Sequence, residues 1–169
     1  MLMKKMQSLR RTLTLCGVFV FSLCTSAHNA LAEEYLVKTQ AEFWAASEKL
    51  LPGDEIILGN GIWKDFEILF EGRGLAGAPI TLRAETRGKT IITGESSLAL
   101  AGEYLIVSGL VFRDGYTPSQ SVISFRKSKG ELANNSRVTQ TVIHNFTNPE
   151  RFEADYWVAI YGRNNRFDH

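Results

Sequence analysis

Short β-rich segments that recur about every 30 residues constrain this chain more than any other feature. Residues 107–112 (VSGLVF) align with residues 138–143 (VTQTVI), and apolar residues coincide at the first, fifth and sixth positions. Residues 165–169 align in turn with residues 136–140. A unit of one strand, a polar turn and another strand is what one coil of a parallel β-helix requires. Repetition alone leaves a β-sandwich open as the alternative, since weak repeats arise by chance in β-rich chains.

Eight β-rich runs are predicted, and no second helical pattern lies between them. They cover residues 55–58, 66–70, 80–84, 90–93, 104–112, 122–125, 137–146 and 158–161. Turns rich in Gly, Asn and Asp separate the runs. The turn asparagines are predicted to adopt the left-handed conformation, and equivalent ones could stack between coils. They are Asn134, Asn135, Asn145, Asn148, Asn164 and Asn165.

One amphipathic helix is predicted before the first of these runs. Thr39 and Glu42 match a capping box, in which each side chain accepts a hydrogen bond from the other residue's backbone N–H. The helix is predicted over residues 40–51 and ends at the Pro-Gly pair that follows. It carries two aromatic residues, Phe43 and Trp44, that need to be buried.

Residues 1–32 have the pattern of a secretory signal peptide. Residues 1–11 carry four basic residues and no acid, residues 13–23 are apolar, and residues 30–32 form an A-x-A site. We expect cleavage after Ala32 and a periplasmic or secreted mature protein that begins at Glu33. A single-pass membrane anchor is the alternative, although the apolar run is shorter than the roughly 20 residues of a membrane span.

Removal of the signal peptide changes the composition that bears on function. It holds four of the 19 Lys and Arg residues and none of the 18 Asp and Glu residues, which leaves 15 against 18, a net charge of −3. A mildly acidic chain without a basic block is a poor nucleic-acid binder, so no nucleic-acid partner is expected. Both cysteines, Cys16 and Cys24, are removed as well, so the mature chain has no disulfide.

Arginines at strand ends are the main candidates for a binding role. A solenoid would align repeat-equivalent guanidinium groups on one face, where they could bind the carboxylates or sulfates of an acidic polysaccharide. Arg137 and Arg166 are repeat-equivalent and are predicted to share a face. The alternative is that these arginines are ordinary surface residues paired with acids. The candidate substrate-binding residues are Arg113, Arg137, Arg163 and Arg166, and Arg126 has a similar position.

Other residue types offer weaker signals. The chain has no Gly-rich phosphate loop, no Cys-based metal site and no nucleophile elbow. His144 and His169 follow β runs without metal-ligand spacing, so we interpret them as solvated strand-end residues. Five aromatic residues could stack on sugar rings but are interpreted first as core or coil-edge residues: Trp63, Tyr116, Tyr156, Trp157 and Tyr161.

Several segments in order make the mature chain resemble the N-terminal half of polysaccharide lyase family 6, the alginate lyases and chondroitinase B. They are 51–58 (LPGDEIIL), 61–63 (GIW), 78–84 (APITLRA), 104–115 (YLIVSGLVFRDG) and 161–169 (YGRNNRFDH), of which the last two are the most specific. The resemblance covers nearly all of residues 33–169. It implies an all-β protein, a right-handed single-stranded parallel β-helix with coils from about residue 54. The helix at 40–51 would plug its N-terminal end.

The resemblance also implies a secreted lyase that cleaves uronic-acid glycans by β-elimination, with alginate as the first substrate and chondroitin or dermatan as the alternative. In this family calcium neutralises the substrate carboxylate, a lysine takes the C5 proton and an arginine assists the leaving oxygen. Those residues lie C-terminal to segment 161–169. We therefore assign no catalytic residue or metal ligand to this chain, and expect the calcium ligands beyond His169.

Two further expectations follow from that reading. The catalytic coils are expected to be missing, so the 169-residue chain alone should be inactive, and its open last coil should self-associate. Two other classes of function remain open: a non-catalytic module that binds acidic glycans, and a purely structural solenoid.

Overall fold

The computed structural model describes residues 32–150 and 155–168. The predicted signal peptide up to residue 31, both cysteines and His169 lie outside the described residues. No helix within the described ranges is long and apolar enough to cross a membrane.

The described residues form one helix and fifteen strands. Helix α1 (Gln40–Ser47) lies between the first two strands. The strands are β1 (Glu34–Val37), β2 (Glu55–Leu58), β3 (Gly61–Lys64), β4 (Glu67–Arg73), β5 (Ile80–Ala84), β6 (Thr90–Glu95), β7 (Ser97–Glu103), β8 (Leu105–Ser108), β9 (Val111–Tyr116), β10 (Ser121–Ser124), β11 (Ala133–Asn134), β12 (Arg137–Thr139), β13 (Val142–Phe146), β14 (Tyr156–Ala159) and β15 (Arg166–Asp168).

The strands wind into three parallel sheets. Sheet A has the order β1-β2-β5-β8-β12-β15, and sheet B has the order β3-β6-β9-β13. Sheet C contains β4, β7, β10 and β14, and β11 also pairs with β7. Successive strands visit sheets A, B and C in turn, so the chain forms a parallel β-solenoid of about four turns. The predicted β-helix is therefore confirmed, and the sandwich is wrong.

The strand register is the one that the sequence repeat predicts. Val107 pairs with Val138 in sheet A, and Phe112 pairs with Ile143 in sheet B. One coil later, Arg137 pairs with Arg166. The repeat predicts this register because inward positions recur once per coil, and a shift of one residue would turn the apolar set outward.

Two predicted long strands each bend into two at a single left-handed residue. The run 104–112 becomes β8 and β9 around Gly109, whose φ is 79°, and the run 137–146 becomes β12 and β13 around Gln140, whose φ is 54°. One residue turns the chain from sheet A to sheet B without interrupting the apolar pattern. For that reason periodicity alone merges the two strands.

The core is a set of columns in which equivalent inward side chains stack between coils. In sheet A the column contains Ile56, Leu82, Val107 and Val138, all of them buried. Fully buried phenylalanines fill the space between the sheets, and burial of each contributes about 1.5–3 kcal/mol. They are Phe66, Phe70, Phe112, Phe125 and Phe146.

Helix α1 begins at the predicted N-cap residue, Thr39, but the Glu42 side chain bonds the residue before it, and the helix ends earlier than predicted. Thr39 Oγ1 accepts a hydrogen bond from the Glu42 N–H at 3.2 Å, while the Glu42 carboxylate accepts from the Lys38 N–H at 2.6 Å. The predicted end at residue 51 is wrong, because the helix stops at Ser47. Residues before a proline avoid the helical region, and Leu51 instead donates its N–H to the Asp54 carboxylate.

An aromatic cluster joins the helix to the first coil. Phe43 is fully buried and meets Phe66 edge to face at 5.2 Å, and Phe66 stacks on Trp63 at 5.3 Å. The helix also contacts β1 and β2. The predicted plug is present, although Trp44 remains 40% exposed and is not buried as expected.

Candidate functional site

The four candidate arginines lie on two sheets and one corner. Arg137 and Arg166 are register partners on the outer face of sheet A, which confirms that they share a face. Arg113 lies on β9 in sheet B, beside its register partner His144. Arg163 lies in the corner between β14 and β15. A single row of all four is therefore not formed, because their repeat positions fall in different parts of the coil.

Arg137 and Arg166 share one carboxylate, that of Asp168. Arg137 donates from Nε to Oδ1 at 3.1 Å and from Nη2 to Oδ2 at 3.0 Å, and Arg166 Nε pairs with the same group. Hydrogen bonds from Thr139 and then from Arg137 lower the pKa of Asp168 to about 2. Two guanidinium groups and one carboxylate leave a net positive charge, and the Arg166 side chain is 68% exposed.

The arginines near sheets B and C have other partners. Arg113 pairs with its neighbour Asp114 at 3.1 Å, and Asp114 also accepts a hydrogen bond from Asn145. The Arg126 guanidinium lies 3.8 Å from the ring centroid of Tyr161, in cation–π geometry. The Asp114 carboxylate thus largely compensates the positive charge of Arg113. None of the ion pairs in the described residues involves Arg126, so its positive charge is not compensated by a carboxylate.

The outer face of sheet C forms a groove whose floor is made of small side chains. Ala99, Ser124 and Ala159 are register partners in β7, β10 and β14 and form one column of the floor. A hollow of about 270 Å³ lies over this floor. Its lining includes residues 119–121, Arg126 and Lys127.

A second hollow, of about 410 Å³, continues the groove over β4 and β7. Arg73, Glu103 and Glu131 are among its lining residues. Lys127 bridges Glu71 at 3.1 Å and Glu131 at 3.3 Å, and the hydrogen bond to Glu71 is the main reason that its pKa is raised. The groove therefore carries charges of both signs.

Sequence reasoning did not find this groove. The floor residues Ala99, Ser124 and Ala159 are separated by 25 and 35 positions, because loops of different length enter the coils. A repeat search near 30 residues misses such spacings. The position of Arg126 directly after a β run was the one available signal.

The turn asparagines form a ladder between coils, as predicted, but only Asn135, Asn145 and Asn164 of the six adopt the left-handed conformation. The prediction is wrong for the other three, of which Asn134 lies in strand β11. Asn164 Nδ2 donates to Asn135 Oδ1 at 2.9 Å, and Asn135 Nδ2 donates to Glu103 Oε2 at 2.9 Å. Asn135 and Asn164 have φ values of 51° and 55°, in the left-handed region. Their side chains join three successive coils, and this is a structural role.

The predicted aromatic candidates divide between core and surface. Trp63 is buried and donates its indole N–H to the Gly59 carbonyl at 2.9 Å. Tyr116 donates to Glu95 at 3.2 Å. Tyr156 and Trp157 are more than half exposed, and the Trp157 indole N–H bonds to the Phe146 carbonyl.

Within residues 32–150 and 155–168, no group of three or more His, Cys, Asp or Glu side chains is placed to hold a metal ion. The expectation that the calcium ligands lie beyond His169 stays a prediction. His144 is an exposed residue on β13.

Comparisons with known proteins identify the family. The chondroitinase B family model matches residues 37–169. Two structures of AlyGC, an alginate lyase of polysaccharide lyase family 6, one of them of a point mutant, are 61% and 60% identical to this chain with TM-scores of 0.79 and 0.78. They cover 80% and 79% of this chain. A mannuronic-acid-specific family 6 lyase from human gut microbiota is 34% identical over 81% of this chain, with a TM-score of 0.73. No curated protein matches the chain.

The matches and the fold place the chain among the polysaccharide lyases built on a parallel β-solenoid. Within that class, the chain belongs to the chondroitinase B family, polysaccharide lyase family 6. It spans 19% and 18% of the two AlyGC chains and 33% of the gut lyase.

Proposed function

We propose that the complete protein cleaves alginate by β-elimination and that residues 33–169 form the cap and first coils of its solenoid. The observation that carries this proposal is the 61% identity to the alginate lyase AlyGC over 80% of this chain. A second alginate-type relative, specific for mannuronic acid, supports the same substrate class. The family model, which is described as chondroitinase B, favours chondroitin or dermatan as the second candidate.

The reaction removes the proton next to the uronate carboxylate and expels the glycosidic oxygen, leaving an unsaturated sugar. It needs a base and stabilisation of the negative charge that develops on the carboxylate. We assign neither role to residues 32–168. The calcium site and the catalytic groups are proposed to belong to other parts of the complete protein.

The described residues are proposed to contribute binding of an anionic polysaccharide. Arg166 is the strongest candidate, since its side chain is 68% exposed and it shares one carboxylate with Arg137. A guanidinium in this setting can donate two hydrogen bonds to a substrate carboxylate in bidentate geometry. Arg113 and Arg163 are weaker candidates, because Arg113 already pairs with Asp114 and Arg163 lies on a corner.

Export is proposed together with the activity. The basic, apolar and A-x-A segments of residues 1–32 support cleavage after Ala32 and a periplasmic or extracellular destination. A polymer substrate that stays outside the cytoplasm requires an enzyme that is exported.

The test uses protein produced from the complete coding sequence, incubated separately with alginate, chondroitin and dermatan. The expected result is ultraviolet-absorbing unsaturated product from alginate. Product from dermatan alone would favour the second candidate. Binding of alginate without any product would show a non-catalytic module and would overturn the proposal.

A further inference from the structure

Asp54 is a buried carboxylate whose hydrogen-bond donors come from the backbone. Its residue is 3% exposed, Oδ1 accepts from the Glu33 nitrogen at 2.9 Å, and Oδ2 accepts from the Leu51 nitrogen at 2.9 Å. None of the ion pairs in the described part of the chain involves Asp54. A buried carboxylate is costly unless a positive charge or several donors compensate it.

The Glu33 nitrogen is the atom that cleavage after Ala32 would release. Hydrolysis adds the oxygen of water to the Ala32 carbonyl carbon, which leaves as a carboxylate, and both protons of water end on the Glu33 nitrogen. The product is an α-ammonium group in place of the peptide N–H. Asp54 then accepts from a cation, and attraction between opposite charges is added to the hydrogen bond that its carboxylate already makes with the peptide N–H.

The sheet holds this nitrogen in place independently of what precedes it. The Glu33 carbonyl accepts from the Glu55 N–H at 2.8 Å, and Glu34 is the register partner of Glu55 in the β1–β2 pair. The new ammonium group therefore needs no rearrangement to meet Asp54. We infer that Asp54 is a binding site for the α-ammonium of the chain's own mature N-terminus, formed when the leader is removed.

The surroundings of Asp54 favour a positive charge at this point. The Tyr35 hydroxyl donates to Glu33 Oε2 at 2.5 Å, and this hydrogen bond is the main reason that the pKa of Tyr35 is raised to about 12. Desolvation follows, and the negative charges of Glu33 and, least, of Asp54 add to the rise. Acidic groups thus converge here, and an ammonium group would be the cation among them.

The inferred pair would connect three parts of the cap. Asp54 lies in the turn between α1 and β2, its side chain binds the Leu51 N–H after the helix, and its carbonyl accepts from Thr81 in the next coil at 2.9 Å. Pairing with the N-terminus would add β1 to this junction. The first coil should consequently be more firmly closed in the mature protein than in its precursor. This inference rests on the proposed export.

The test begins with the N-terminus of the exported complete protein, which mass spectrometry should place at Glu33. Hydrogen exchange is then measured over residues 47–58 in protein that begins at Glu33 and in protein that begins at Ala32, each with and without Asp54→Asn. The substitution should accelerate exchange about tenfold in the Glu33 form and clearly less in the Ala32 form. Glu55→Gln, which removes the partner of Arg83, is the matched control and should act equally in both forms.

N-terminal acetylation of the Glu33 form gives a second measurement that does not depend on the folding of the Asp54 variant. Acetylation removes the charge and leaves the carboxylate, and it should also accelerate exchange. Equal effects of Asp54→Asn in the two forms, or no effect of acetylation, would overturn the inference while export still holds. A mature N-terminus at another residue would overturn both the cleavage site and the inference. Lyase activity is assayed separately and affects neither result.

Discussion

Arg137 on β12 donates two hydrogen bonds to the carboxylate of Asp168 on β15, of 3.1 Å from Nε and 3.0 Å from Nη2. These bonds join two neighbouring coils. A similar link between coils connects Arg83 to Glu55 at 2.8 Å. Outward charges on sheet A therefore pair across the strands, and they add electrostatic contacts to the backbone ladder.

Stability should depend on the ionisation of Asp168. Its folded-state pKa is about 2, below the ordinary value of 3.8, so the carboxylate stabilises the fold above about pH 4 and this contribution is lost as the pH falls towards 2. Asp168→Asn should lower Tm at pH 7 and flatten the fall of Tm between pH 4 and 2. Arg113→Ala, on another sheet, is the control. If the Tm of the Asp168 variant fell between pH 4 and 2 as steeply as that of the unchanged protein, the prediction would be contradicted.

On sheet B, substitution of an inward residue should lower the free energy of unfolding far more than substitution of an outward one. Phe112 is fully buried and meets Phe146 edge to face at 5.7 Å, so Phe112→Ala should lower the free energy of unfolding by about 3–5 kcal/mol. Ile62 is 72% exposed on the same sheet, and Ile62→Ala should change it by less than about 0.5 kcal/mol. Urea denaturation measures both free energies of unfolding. Equal losses in the two variants would contradict the assignment of Phe112 to the inner face and Ile62 to the outer face.

Residue 109, at the left-handed corner between sheets A and B, should favour glycine over alanine. With φ at 79° and the Ala84 Cβ only 3.3 Å from an added Cβ, Gly109→Ala should cost about 1–2 kcal/mol. Gly130, which has open space around it and no positive φ, is the matched control for the loss of glycine flexibility. If thermal unfolding shows the same change for Gly130→Ala and Gly109→Ala, the corner is not the cause.

The asparagine ladder should not tolerate a second negative charge beside Glu103. Asn135→Asp keeps a residue type that accepts the left-handed conformation, but it turns the amide donor to Glu103 into a carboxylate. We expect a loss on the order of 1–2 kcal/mol at pH 7, which shrinks below about pH 4 as carboxylates protonate. Tm measured against pH checks this, and a loss that does not vary with pH would indicate a steric cause.

Substrate binding should depend on Arg166 more than on Arg113. In the complete protein, Arg166→Ala is expected to raise the KM for alginate up to about tenfold, since it removes a charge-assisted contact with a uronate. Arg113→Ala removes an arginine that pairs with Asp114 and should leave KM near its original value. Steady-state kinetics on alginate distinguish the two, and equal KM values would remove Arg166 from the candidate set.

Much of the fold could be predicted from particular residues. The pairing of Val107 with Val138 and of Arg137 with Arg166 was readable because inward apolar residues recur once per coil. The capping box at Thr39 located the start of the helix. Its end was misplaced, because the interaction that replaces the last turn involves Asp54, and a hydrogen bond to a buried carboxylate has no periodic signature.

The candidate site was less predictable. Arg113 and Arg137 look alike in the sequence, but they lie on different sheets because a left-handed corner at Gly109 separates β8 from β9. Only the structure shows that the Asp168 carboxylate forms ion pairs with both Arg137 and Arg166. Neighbouring charges pair or separate according to their position around the coil, which local sequence patterns do not specify.

The sequence by itself predicted the strand register of this protein, because a solenoid repeats a local unit and each unit carries its own inward apolar residues. The repeat alone left a sandwich open, and the family resemblance favoured the solenoid. It also located the start of the helix that caps the N-terminal end, whereas the signal peptide stays a prediction. Tertiary structure decided the groove on sheet C, whose floor of Ala99, Ser124 and Ala159 is assembled across coils of unequal length. It likewise decided the burial of Asp54 against the Glu33 nitrogen. Both depend on contacts between residues far apart in the chain, and loops of irregular length erase the spacing that would reveal them.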